Sequence, residues 1–307
     1  MPRPLKGIKG SEATSLLAEA RDRTDALMVA WAERVLTLVP GRNGQAIAYA
    51  LQSPGKRVRP ALVLASYRAV GGVSPAIAGV AAAVETVHTY SLVHDDLPCM
   101  DDDDLRRGRA TTHRAFDVPT ATRAGYFLVP IAAMVLAQAS QDLVLSASVL
   151  GQMAVELFQA GGVEGMVGGQ WLDLEAEGRR LTQKELRLVH RGKTGALMRA
   201  ACVLGGLAGE ATPAQIEALG GYGEEVGLAF QIADDVLDAT STSAILGKTA
   251  GRDAELEKST YVSLLGIDGA RKEAASASRR AVQHLTRAGL PTTSLGPLAQ
   301  YIVNRDS

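Results

Sequence analysis

The chain has 307 residues, 47 % of them hydrophobic and 4 % aromatic, with 32 Lys and Arg against 33 Asp and Glu for a formal net charge of −1. That balance excludes a global basic field for nucleic acid or an anionic membrane, and an apolar fraction carried by Ala, Leu and Val favours helices over strands. Cys99 and Cys202, the only cysteines, are too few for a disulfide framework and have no zinc spacing, which points to a reducing cytoplasm.

The N-terminal stretch Met1 to Lys6 lacks the apolar core of a signal peptide. Leu17, Ala20, Thr24, Leu27, Trp31, Val35 and Leu38 recur every three or four residues and predict an amphipathic helix ending near Pro40-Gly41. Gly55-Lys56-Arg57-Val58-Arg59-Pro60 opens the next cationic helix, with Lys56 and Arg59 on one side. Ser74-Pro75 reads as an N-cap followed by Pro at the first helical position, and its helix runs through His88 into an acidic cluster. The apolar run Ala124 to Ala137, interrupted by Pro130, is too short for a spanning segment and reads as a core helix, so no stable membrane insertion is expected. Gly168-Gly169-Gln170-Trp171-Leu172-Asp173 lets backbones approach closely and adds two polar groups, with a tight helix contact as the plainer reading. Thr182 to Glu185 and Thr212 to Gln215 fit capping boxes. Lys193-Thr194 follows Gly192 at another predicted helix start. Breaks fall at Pro40 to Asn43, Ser53 to Gly55, Gly71 to Val73, Gly161-Gly162, Gly178 to Arg180 and Gly289 to Pro291. The pattern is about ten helices, no strand and no linker, hence one domain over residues 1–307. Both Trp residues and the Met residues read as core.

Two aspartate-rich motifs dominate the chemistry. The first is Asp95-Asp96-Leu97-Pro98-Cys99-Met100-Asp101, continuing into Asp102, Asp103 and Asp104 and then Arg106-Arg107. The second is Asp234-Asp235-Val236-Leu237-Asp238, led by Gln231. Carboxylates so close repel one another, and hard divalent cations are their natural partners. On a helix, Asp234, Asp238, Gln231 and Asp235 fall within about 100° of one another, on one face. Their apolar flanks Phe230, Ile232, Val236 and Leu237 predict a buried helix, where unpaired carboxylates are costly. A solvated acidic face is the plainer alternative. In the first motif His88, Ser91 and Asp95 share a stripe, and Pro98 disfavours helical geometry at Leu97. The segment should end or bulge there, letting Asp101 fold back toward Asp95 and Asp96. Asp102 to Asp104 are then solvated or paired with Arg106 and Arg107. Gly247-Lys248-Thr249 lacks the spacing of a nucleotide-binding P-loop.

These residues in this order resemble the trans-isoprenyl diphosphate synthases, or polyprenyl synthetases, most closely their bacterial C15-forming subtype. The stretch from His94 to Gly108 and the stretch from Gln231 to Asp238 carry the resemblance. It implies an all-α, isoprenoid-synthase-type bundle of helices around a central cavity, acting as a homodimer. It also implies a head-to-tail condensation of isopentenyl diphosphate with dimethylallyl or geranyl diphosphate, giving mainly farnesyl diphosphate. Geranyl or geranylgeranyl diphosphate is the alternative product, and a class I terpene cyclase or a non-catalytic partner subunit are competing readings.

By the same resemblance Asp95, Asp96, Asp101, Asp234 and Asp238 are ligands of Mg²⁺, three ions in the substrate complex, with Asp235 and Lys193 completing the catalytic group. Lys56, Arg59, His88 and Arg107 match the isopentenyl diphosphate positions. Arg106, Lys193, Thr194, Gln231, Lys248 and Lys258 match the allylic diphosphate positions. Tyr90 and Ser91, five and four residues before Asp95, occupy the chain-length positions. The sequence departs from the family at Tyr126, where Ala-Gly-Asp is common, at Ala110, where Pro is frequent, and at Ala239 to Ala244, which lacks a frequent Gly-Asp.

Overall fold

The computed structural model describes residues 9–240 and 259–305. Helix α1 (Lys9–Leu38) and α2 (Arg42–Leu51) lead through a loop into α3 (Val58–Ala69) and α4 (Ile77–Asp95). A short hairpin, β1 (Leu105–Arg106) and β2 (Arg109–Ala110), precedes α5 (Thr112–Ala115), α6 (Val118–Asp142) and α7 (Ala147–Gly161). Then come α8 (Met166–Glu175), α9 (Gln183–His190), a π turn (Arg191–Gly195) and α10 (Ala196–Ala208). Helices α11 (Pro213–Thr240), α12 (Tyr261–Arg287) and α13 (Leu295–Asn304) complete the described chain.

Helix α4 buries residues on every side, including Val80, Ala83, Val84 and Val87. A helix apolar all round belongs in the middle of a bundle, and α1, α3, α6 and α10 pack around it. Helix α11 is a second axis, flanked by α10, α12, α13 and the π turn. Helix α10 touches both axes. Each axis carries one aspartate motif toward its C-terminal end, so the bundle sets the two motifs on separate helices joined through α10.

The predicted breaks fall at or between helix ends, and both capping boxes form. Thr182 accepts from the Glu185 N–H while Glu185 accepts from the Thr182 N–H. Thr212 and Gln215 exchange the same pair of bonds. Four expectations need correction. Among the described residues the hairpin is the only strand structure, formed because Arg107 and Gly108 both take positive φ (55° and 75°), the signature of a two-residue turn. Helix α4 begins two residues later than Ser74-Pro75 predicts, at Ala76-Ile77, and Ser74 only accepts from the Ala76 N–H. Trp31 is core, but Trp171 is 63 % exposed, and Met134 is exposed as well. Helix α6 alone among the described helices is long and apolar enough to cross a membrane, although half of that stretch is buried in the protein. Its buried side lies under α4 and α2.

Candidate active site

The first motif begins where α4 stops. The Leu97 amide still reaches back to the His94 carbonyl (3.1 Å), but after Pro98 the chain turns on itself. The Asp101 amide then donates to the Asp95 carbonyl at 2.8 Å, so Asp101 does fold back onto Asp95. Asp102 takes positive φ (48°), which launches the hairpin.

The hairpin separates the two adjacent arginines. Arg106 returns to Asp96 (Nε to Oδ1, 2.6 Å) and to Asp103 (3.0 Å). Arg107 turns the other way, and its guanidinium donates to the Pro54 carbonyl at 2.5 Å. Asp104 pairs with Arg114. Asp96 is therefore already neutralised by Arg106, and neither group stands open as the motif alone suggests. Partly buried Asp95 differs. Burial pushes its carboxyl up to about 7; Lys193 and Arg106 oppose that shift, while Asp101 and Asp96 add to it.

Facing Asp96 across the hairpin is a cluster of cations. Arg57, buried, donates to Asp25 and Glu85 at 2.6 Å each and to the Ser53 carbonyl at 2.8 Å. Those three bonds hold Arg57 in a left-handed conformation (φ 51°) as the N-cap of α3. Lys56 therefore lies before the helix rather than on its first turn with Arg59. Arg59 sits one residue inside α3, and burial lowers its guanidinium to about 10; Glu85 and Asp234 oppose that shift, and Arg107 reinforces it. Its Nε is buried without a hydrogen-bond partner. Arg107 is also held below its ordinary value, first by burial and then by Arg57 and Arg106. His88, partly buried, is held well below its ordinary value, first by desolvation and then by Arg59, Arg107, Arg106 and Arg57, and stays neutral. Asp25 and Glu85 are hydrogen-bonded by Arg57, and for both Arg59 and Arg107 the attraction of Glu85 is outweighed by burial and the neighbouring cations. Ser91 does not open onto it, because its hydroxyl donates back to the His88 carbonyl at 2.9 Å.

The π turn builds the second cationic site. Lys193 is not at a helix start; α9 runs through a widened turn into α10. Such bulges displace side chains from the regular helical register and often mark functional sites. Here Lys193 Nζ donates to Asp173 at 2.6 Å, and Thr194 Oγ1 donates to Gln231 Oε1 at 2.7 Å. The turn seats against α8, where a Cβ on Gly169 would lie 2.0 Å from the Lys193 nitrogen. Only a residue without Cβ permits that approach. Besides Asp173, the carboxylates of Asp101 and Asp95 hold the Lys193 ammonium charged against its burial. Gln170, on the same helix as Asp173, keeps both amide atoms buried without partners.

The second motif divides more than the helical wheel predicts. Asp235 is buried and accepts from the Tyr261 N–H at 2.7 Å, anchoring the start of α12. Asp234 pairs with Arg305 at 2.5 Å. Arg305 also donates to the Phe230 carbonyl (3.2 Å) and stacks over the Phe230 ring, while its Nε and Nη1 stay buried and unpartnered. Asp238 is buried on the same helix. Asp173 and Arg305 are the residues that motif reading underweighted. The Gly-Gly-Gln-x-x-Asp spacing was a signal for Asp173, whereas nothing local marks Arg305. Lys248 and Lys258 lie outside the described residues.

Among the described residues, no three Asp, Glu, His or Cys side chains yet converge closely enough to hold a metal ion. The donor set nevertheless suits a hard divalent cation: Asp95 and Asp101 are oxygen donors brought together by the turn, and burial resists ionisation of Asp95 more than Lys193 and Arg106 favour it. An open cleft of about 670 Å³, between Glu156, Trp171, Leu188, Arg191 and Glu224, borders the π turn at Gly192 and α8 at Gly169 but is lined by none of the predicted site residues.

A family model described as polyprenyl synthetase matches residues 42–288. Farnesyl diphosphate synthase of Escherichia coli (strain K12) is 45 % identical over 256 residues, 82 % of this chain and 85 % of that protein. The crystal structure of an FPP/GFPP synthase from Zymomonas mobilis superposes with a TM-score of 0.81 at 33 % identity, covering 95 % of this chain and 99 % of that one. A geranyltransferase from Helicobacter pylori, solved with magnesium and isoprenyl diphosphate, gives 0.77 at 28 % identity over 97 % of each chain.

Proposed function

The chain belongs to the polyprenyl synthetase family, and we propose that it is a prenyltransferase that joins isopentenyl diphosphate head-to-tail to dimethylallyl and geranyl diphosphates, with farnesyl diphosphate as the main product. The observation that carries this reading is the pairing of opposite sites. Arg59, Arg107 and neutral His88 form an anion-seeking cluster with a buried orphan donor, next to a carboxylate turn that calls for cations. A single diphosphate substrate needs one such site; a condensation of two diphosphates needs both.

In this reading Arg59, His88, Arg107 and Lys56 hold isopentenyl diphosphate. Lys193, Thr194, Gln231 and Arg106, with Lys248 and Lys258, hold the allylic diphosphate. Asp95, Asp101, Asp234 and Asp238, joined by Asp96 when Arg106 lets go, would hold Mg²⁺, three ions in the full complex. Mg²⁺ supplies neutralisation of the departing diphosphate. Asp235 supports the site by fixing α11 to α12, a positioning part rather than the catalytic one its motif suggests. The allylic C1–O bond breaks with its electron pair going to diphosphate. The terminal double bond of isopentenyl diphosphate attacks C1, and the C2 proton leaves to the released diphosphate. The protein's own contribution is positioning and electrostatic stabilisation. Lys193 is held for that task by Asp173, and Thr194 by Gln231.

The same reading takes the chain as one catalytic domain, working as a homodimer in the cytoplasm without membrane insertion. Incubation with isopentenyl diphosphate and each allylic diphosphate in Mg²⁺, followed by product chromatography, tests it. C15 product from the C5 and C10 primers is expected; no condensation from any primer overturns it.

A further inference from the structure

Tyr126 departs from the family pattern and has no place in the core, at 67 % exposed. Its ring nevertheless meets a defined partner. It stands edge-to-face on His94, with centroids 5.4 Å apart and planes at 89°. His94 in turn stands edge-to-face on Tyr90, at 5.1 Å and 68°. Three rings thus run inward from the surface of α6 to the chain-length position on α4.

The middle ring is fixed by α6 at three points of one face. His94 Nε2 lies 3.0 Å from the Thr122 carbonyl oxygen. A carbonyl only accepts, so Nε2 carries the proton and donates. Gly125 gives the ring its seat, since a Cβ there would lie 2.0 Å from Nε2. Tyr126 then closes the remaining side. Tyr90, one turn before His94 on α4, is half-buried, and burial first, then the Asp95 carboxylate and Tyr126, hold its phenol above its ordinary value. Whatever fixes His94 therefore limits the rotation of Tyr90 beside the first carboxylate of the motif.

We propose that Tyr126 is a positioning residue for product length, bracing His94 so that Tyr90 stays across the path of the growing chain. This rests on the prenyltransferase reading above and on Tyr90 as the limiting side chain. An edge-to-face pair is worth enough to bias a side-chain position by about 2- to 10-fold, so loss of the brace should raise the share of longer product by a similar factor.

The test elongates the C15 allylic diphosphate with isopentenyl diphosphate, using Tyr126→Ala, Tyr126→Phe and Tyr126→Asp in the wild-type and Tyr90→Ala backgrounds. Tyr126→Ala and Tyr126→Asp should raise the C20 to C15 ratio about 2- to 10-fold. Tyr126→Phe, which keeps the ring, should behave as wild type. In the Tyr90→Ala background Tyr126→Ala should add nothing. An unchanged ratio in Tyr126→Ala, or an equal further rise without Tyr90, overturns the proposal. The His94 Cε1–H resonance, assigned with His94→Gln, gives a readout that needs no turnover. Ring currents from both tyrosines should place it away from its position in Tyr126→Ala and leave it unmoved in Tyr126→Phe. An identical resonance in Tyr126→Ala overturns the brace. A wild-type chain that condensed nothing would remove the prenyltransferase reading instead, with the brace still judged by that resonance.

Discussion

Arg57 and Arg59 are two residues apart and alike in charge, yet the structure gives them opposite tasks. Arg57 spends its guanidinium on Asp25, Glu85 and the Ser53 carbonyl. Arg59 keeps a buried Nε with nothing to bond. Removing one partner of a buried ion pair leaves the other charge stranded, at about 3–5 kcal/mol. Arg57→Met should therefore lower unfolding free energy in denaturant by about that amount, and Arg57→Met with Glu85→Leu should recover much of it. Arg59→Met should behave differently. A hydrogen bond to a charged group contributes about 1.5–3 kcal/mol, so KM for isopentenyl diphosphate should rise about 10- to 100-fold with KM for the allylic substrate nearly unchanged. Equal rises in both KM values would contradict the two-site assignment. By spacing alone Lys56 and Arg59 fall together on the first turn of α3, whereas α3 starts at Val58 behind the Arg57 N-cap and leaves Lys56 outside it. What separates Arg57 from them was not legible in the sequence either, because Asp25 and Glu85 reach it from other helices. Asp235 is a parallel case: the wheel puts it on the ligand face, and only the arrival of the Tyr261 N–H claims it.

At the scale of elements, the local rules that worked were steric and capping rules. Pro98 ended α4 where backbone clash requires, and that break folded Asp101 onto Asp95. The π turn escaped, because one extra residue leaves composition unchanged and its register shift falls in a stretch, Arg191 to Gly195, without apolar residues to reveal it. Its presence follows from Gly169 meeting the Lys193 backbone. Gly169→Ala should push that turn by a fraction of an ångström to about 1 Å and lower kcat about 10²-fold, with helical circular dichroism retained. His190 ends α9 just before the turn, buried against Tyr261 with an unpartnered Nε2. Burial lowers its imidazole to about 4; the neighbouring Lys193 adds to that shift, and Asp173 opposes it. The folded state thus keeps His190 neutral where the unfolded chain would protonate it. Its contribution is whole above the ordinary histidine value of about 6.5 and is lost as pH falls from there toward 4. The loss amounts to about 3 kcal/mol. Denaturant midpoints for wild type and His190→Gln, compared from neutral pH downward, should converge through that window; parallel curves would contradict the assignment.

The whole molecule keeps its two acidic motifs on different axes, each already holding a cation of the protein's own. Arg106 occupies Asp96, and Arg305 occupies Asp234. Arg305 comes from the last described residues and is itself buried, so it closes the second motif from the far end of the chain. On the proposed function a metal would have to displace these pairs for the carboxylates to converge, and a bound diphosphate would favour that exchange. In the same reading its charge would add to the Asp173 carboxylate as a partner for Lys193, while Asp95, Asp101, Asp234 and Asp238 would hold the metal that neutralises it. Binding to the folded state alone stabilises it by mass action, about 2.7 kcal/mol at a hundredfold excess over Kd. Mg²⁺ alone should therefore move the thermal midpoint little. Mg²⁺ with inorganic diphosphate should raise it by about 5 °C, and diphosphate with a chelator should fall between. Arg305→Met frees Asp234 from its pair. That variant should melt lower than wild type without ligand, yet respond more strongly to Mg²⁺ alone. A full shift from Mg²⁺ in the wild-type chain would mean that the carboxylates converge unaided, and Arg305 would then have no part in keeping the second motif closed.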